Sequence, residues 1–180
     1  MNSCCVLLNQ WGFKPMNNSR IVVDKEFSQN NLGNSYLKFN LNPQTTAIVS
    51  MKYTQEAVIL PVESVTPMPN MLPCILGLMN WRSRIIWAID LPRMLNLESL
   101  EGRLRQYNII VIKVESLVLG LVVHEIKGIT KFMSDDIESP VGQVASSLVP
   151  YLSGCVVEDE EILLVLDAHF LAHSPIFRSE

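Results

Sequence analysis

An all-β chain with only short helices, folded into small barrels, is the fold class that this 180-residue sequence predicts. Three observations carry that expectation. Short Ile- and Val-rich runs recur with Gly and Pro punctuation, and helical periodicity is confined to two brief segments. The chain also repeats one pattern twice, a strand ending at an aspartate that opens a short helix, at Ile89-Asp90-Leu91 and at Leu166-Asp167-Ala168.

Residues 1–34 are rich in asparagine and serine, with one short β-like run at Ile21-Val22-Val23, and read as a leader with little to bury. Tyr36 to Leu41 then alternates strictly, with Leu37, Phe39 and Leu41 on one face, and Asn42-Pro43-Gln44 supplies a turn into Thr45–Val49. Ala57-Val58-Ile59-Leu60 is a strand ending at Pro61. The run Ser83–Leu91 is apolar on both faces and reads as a strand buried on both sides. Asn108–Val114 and Leu117–Val123 are separated only by Glu115-Ser116, the spacing of a two-residue hairpin loop. Gly154–Val157 turns through the acidic Glu158-Asp159-Glu160 into Ile162–Leu166. Asp90 with Pro92, and Asp167 before Ala168–His173, are N-cap signals for two short helices, the second stopped by Pro175.

Composition narrows the function. With 48% hydrophobic and 18% charged residues the chain has ample apolar material for a core without disulfides. A net charge of -4 argues against a nucleic-acid partner. Charged residues such as Asp90, Arg93, Lys113 and Glu125 interrupt every apolar run before the length of about 18 residues that a membrane-spanning helix needs, so direct membrane insertion is not expected. Cys74 and Cys155 read as small buried hydrophobes, and Cys4-Cys5 lacks C-x-x-C spacing, which fits a reducing cytoplasm.

Enzyme chemistry finds little support. His169 and His173 are four apart on one helix face without a third ligand, and read as surface or partly packed histidines; no metal or other cofactor is expected. His124 beside Glu125 reads as a solvated ion pair. Neither a phosphate cradle nor a nucleophile elbow is written in the chain. The unusual segment is Gly77-Leu78-Met79-Asn80-Trp81-Arg82-Ser83-Arg84, two arginines beside a tryptophan in an apolar tract. An arginine entering such a tract must reach a carboxylate or lie at an exposed apolar surface, and Trp with Arg is the composition of interface hot spots. The plainer alternative is a loop arginine that snorkels while its tryptophan packs in the core.

Gly77-x-x-Asn80-x-Arg82, followed by the strand into Ile89-Asp90-Leu91, resembles the G-x-x-N-x-R-G…V-D-L signature of the CheW-like chemotaxis adaptor family. Leu119-Gly120-Leu121-Val122-Val123, Tyr151-Leu152-Ser153-Gly154 and Ile162–Asp167 fall in that family's order, over about Ser35 to His173. The wording Pro67-Met68-Pro69 and Asn80-Trp81-Arg82 is similar to cyanobacterial pilus-motility and phototaxis members. The resemblance implies two five-stranded SH3-like β-barrel lobes around a shared core, occupying residues 35–175, with lobe exchange near 91–105 and near the C-terminus, and a tail at 176–180. It implies a non-catalytic cytoplasmic adaptor, at membrane-associated receptor arrays, that couples a chemoreceptor signalling tip to the regulatory domain of a CheA-type histidine kinase; self-association stays open.

On that resemblance Arg82 is the receptor or array contact, Asn80 shapes its turn, and Trp81 and Arg84 share the surface. Glu56 stands where the family has the glutamate of V-x-E-I, and Val122 and Val123 line the receptor groove between lobes. Ser83 replaces the glycine that usually follows the arginine, so a positive φ there would strain or reshape the turn. Trp87 stands where many relatives have proline, and would fill a lobe core or enlarge an apolar patch. A small β-barrel ligand-binding protein or enzyme using the cleft between lobes remains the alternative, as does an adaptor that only caps or competes within arrays.

Overall fold

Alternating and doubly apolar runs become strands in the computed structural model, which describes residues 33–97, 104–142, 144–174 and 177. The strands are β1 (Asn34–Asn42), β2 (Thr45–Ser50), β3 (Thr54–Pro61), β4 (Val65–Thr66), β5 (Ile75–Trp81) and β6 (Arg84–Asp90), then β7 (Gln106–Val114), β8 (Leu117–Val123), β9 (Glu125–Phe132), β10 (Leu152–Glu158) and β11 (Glu161–Leu166). Helix α1 (Leu91–Met94) follows β6, and α2 (Ala168–Ala172) follows β11. Both helices begin where the sequence places their caps: Asp90 Oδ1 accepts from the Arg93 amide and Asp167 Oδ1 from the Phe170 amide, each at 3.0 Å. Pro175 lies outside the described residues.

The strands form two curled sheets, one ordered β10-β11-β2-β1-β9 and the other β3-β7-β8-β6-β5-β4. All neighbours are antiparallel except β2 with β11 and β6 with β8. The first sheet has the five expected strands; the second gains a sixth, the two-residue β4. Each sheet takes its central hairpin from one half of the chain and the rest from the other. Hairpin β1-β2 lies with β9, β10 and β11, while hairpin β7-β8 lies with β3, β4, β5 and β6.

On either side of residues 91–105, β6 and β7 share one sheet, and β10 and β11 share the other. The chain changes sheet at Met51–Tyr53 and at His124. Backbone hydrogen bonds fix the first crossing, from the Met51 amide to the Ser35 carbonyl at 3.0 Å and from the Lys113 amide to the Tyr53 carbonyl at 2.8 Å.

Three apolar clusters result. The largest lies between the sheets and joins Phe39 and Leu41 of β1 to Ile89, Ile110, Leu121 and Leu166 of other strands, so the lobes share a core. Val58, Met79, Ile86, Ala88, Ile109 and Val111 fill the second lobe; Tyr36, Ile48, Val156, Leu163 and Val165 fill the first. β7 thus buries Ile109 and Val111 on one face and Ile110 and Ile112 on the other, which is why its sequence is a continuous apolar run. β6 departs from that pattern. Ile86, Ala88 and Ile89 are buried, but Ile85 is 66% exposed because its strand end projects beyond the shared core.

Candidate functional site

The β5-β6 hairpin reverses through Arg82 and Ser83, with Trp81 paired to Arg84 across its mouth. Both turn residues have positive φ, 48° and 63°, the conformation of a two-residue turn that Asn-Gly satisfies at least cost. Ser83 therefore occupies a backbone state that the missing glycine would adopt more easily. Gly77, earlier on β5, has φ 146°, and a Cβ there would fall 2.1 Å from the Thr66 carbonyl oxygen, so only glycine lets β4 pair so closely.

Glu56 holds this tip from beneath. It lies on β3, is buried at 6% exposure, and one carboxylate oxygen accepts from Trp81 Nε1 at 2.8 Å and from Arg82 Nε at 3.2 Å. β3 and β5 are far apart in the sheet order, so this contact closes the curled sheet across its open side. The Arg82 guanidinium lies 5.0 Å from the Trp81 ring centroid, while its side chain stays 63% exposed. A buried carboxylate thus orients a cation that remains presented to solvent.

Arg84 is exposed beside them. Asn80 is exposed on β5 opposite Ile85, one pair before the turn and not within it. Val122 and Val123 do not line a surface: both are buried, one in the second-lobe core and one in the shared core, because β8 is covered on both faces.

The groove itself is formed by Trp87, conspicuous in the sequence, together with residues that the sequence patterns do not single out as a surface. A cavity of about 650 Å³ opens between the β4-β5 loop, β6, β8 and the residues around α2, with Met71, Leu72, Trp87, Leu117, Leu119 and Phe177 in its lining. Trp87 is half-buried and shares a strand face with the exposed Ile85, so the apolar surface continues toward the Arg82 tip. Among the described residues no titratable side chain lines it.

His169 packs its ring edge on Tyr53 at 5.1 Å and stacks on His173 at 6.4 Å, and no group of metal-binding side chains forms among the described residues. The expected His124–Glu125 pair is replaced by Lys127 with Glu125 at 2.7 Å, since alternation on β9 places those two on one side. Cys74 and Cys155 are buried, and burial pushes both thiols up. Cys4 and Cys5 lie outside the described residues, as does most of the leader. No helix among the described residues is long and apolar enough to cross a membrane.

Comparison with known proteins agrees with this architecture. A family model described as CheW-like domain matches residues 35–175. "Chemotaxis protein CheW" of Treponema pallidum (strain Nichols) is 29% identical over 119 residues, covering 64% of this chain and 70% of that protein. The crystal structure of the scaffolding protein TtCheW from Thermoanaerobacter tengcongensis superposes with a TM-score of 0.68 at 22% identity, over 78% of this chain and 92% of that one. With the match extending over both lobes, the chain belongs to the CheW-like domain family and is a non-catalytic adaptor of the chemotaxis type.

Proposed function

We propose that this adaptor joins a chemoreceptor signalling tip to a CheA-type histidine kinase, using the Trp81–Arg84 tip with Glu56 beneath it as a receptor or array contact. The observation that carries this reading is the buried Glu56 carboxylate shared by Trp81 and Arg82. Two side chains of the hot-spot type are fixed before any partner arrives, so less conformational entropy is lost on binding. The neighbouring Trp87 groove supplies an apolar surface for a helical partner, in the place assigned from the sequence to Val122 and Val123. An adaptor holding receptor and kinase together raises their effective concentration and brings this chain to membrane-associated arrays.

Arg82→Ala is expected to leave the unfolding midpoint nearly unchanged and to weaken pull-down with a receptor signalling fragment, more so at low salt. Equal capture of both proteins at several salt concentrations would sink the assignment.

A further inference from the structure

The Trp87 groove has buried residues, Ile89 and Leu119, at its floor and partly exposed ones, Met71 at 38% and Leu117 at 36%, at its rim. Lacking titratable groups among the described residues, it selects an occupant by apolar shape and not by charge. Its 650 Å³ is the size of a cavity that takes a few large side chains, less than a pair of helices would fill.

The sequence carries a matching segment. Val6, Leu7, Leu8, Trp11 and Phe13 fall within eight residues and form the larger apolar cluster of the leader, which otherwise has the short run Ile21-Val22-Val23 within its asparagine- and serine-rich stretch up to Asn34. Gly33 lies twenty positions after Phe13. A chain of backbone contacts bounds the distance from the leader's attachment to the groove. Ser35 is hydrogen-bonded to Met51, Tyr53 to Lys113, and Lys113 is opposite Val118, next to Leu117. Steps of about 5 Å each put Ser35 within roughly 25 Å of Leu117. A twenty-residue coil has an r.m.s. span of about 25 Å, and a tether raises local concentration most when its span matches the distance to be bridged.

We propose that Val6–Phe13 docks in the Trp87 groove of its own chain and must be displaced before a helical partner can use it. The displacement rests on the adaptor reading above; the docking does not.

Disulfide trapping in the full-length protein tests this. Cys4 and Cys5 adjoin the docking segment, while Cys74 and Cys155 are buried, so a cysteine introduced by Leu117→Cys should capture the leader under mild oxidation. Ile129→Cys is the control: Ile129 is 52% exposed and faces Leu37 across the β1-β9 pair, closer to the leader's attachment than the groove is. Docking predicts roughly tenfold faster intramolecular trapping at Leu117→Cys than at Ile129→Cys, independent of protein concentration. Trp11→Ser with Phe13→Ser should abolish that excess. Equal or faster trapping at Ile129→Cys, an excess that survives the leader substitutions, or cross-linking only between copies overturns the docking. Met71→Cys repeats the measurement if Leu117→Cys impairs folding. The same leader substitutions should tighten binding of a receptor signalling fragment several-fold, and unchanged affinity with intact trapping overturns the displacement alone.

Discussion

The β5-β6 and β10-β11 hairpin tips occupy equivalent places, each before a strand that runs into an Asp-capped helix and pairs in parallel with a central hairpin. Their backbones agree closely: Arg82 and Ser83 have φ of 48° and 63°, Asp159 and Glu160 of 50° and 67°. What lies beneath differs. Glu56 reaches across the second lobe to fix Trp81 and Arg82, whereas the acidic tip has the partly exposed Lys38–Glu158 pair at its base. Two tips of one geometry therefore differ in preorganisation, because only one has a buried polar anchor from another strand. Turn shape alone does not make an interface; the support below it does.

Substitutions can break or sharpen this contrast. The largest effect is expected under the basic tip, where Met79→Ala empties a position 2% exposed in the second-lobe core and should cost about 2–5 kcal/mol in denaturant unfolding. Val157→Ala, at the base of the acidic tip and 56% exposed, should stay within about 0.5 kcal/mol. Next comes Glu56→Ala, which strands the Trp81 indole N–H and should cost about 2 kcal/mol, while Glu158→Gln at the other tip should cost no more than about 0.5 kcal/mol. Similar losses from the two carboxylates would erase the distinction. The smallest effect is a gain. Ser83→Gly relieves a positive φ and should raise stability by up to about 1 kcal/mol by the same unfolding measurement, with Glu160→Gly giving a comparable gain. A loss at Ser83 alone would show that its side chain contributes to the basic tip beyond the turn.

Local chemistry was legible before the structure. The Glu115-Ser116 loop, two aspartate caps and the doubly apolar β7 follow from neighbours along the chain and appear where the sequence puts them, while β6 is buried on both sides only toward its end, with Ile85 exposed. β9 is hard to see in the sequence because an edge strand paired only to β1 can alternate exposed Glu and Lys with half-buried residues and show no apolar run. β5 was hidden by its glycine and by a tip that reads as a loop. Glu56, Trp81 and Arg82 were each singled out, yet nothing local says that residues 25 and 26 apart share one oxygen. Val122 and Val123 are both buried, and an apolar strand does not reveal in its sequence whether either face is open. Trp87 stood out by itself; its groove partners come from segments as distant as Met71 and Phe177.

The reciprocal sharing of strands between sheets governs how the chain can acquire its shape. During synthesis β1 and β2 emerge first, yet three of their sheet's strands are the β9, β10 and β11 made last. Such long-range pairing slows folding and leaves β1 and β2 without their other sheet partners until β9, β10 and β11 have been made, whereas the second sheet is drawn from the single stretch between β3 and β8. A break between β6 and β7 would damage both lobes at once, one after β8 only the first, and until β9 to β11 arrive the open edges of β1 and β2 can meet those of other chains.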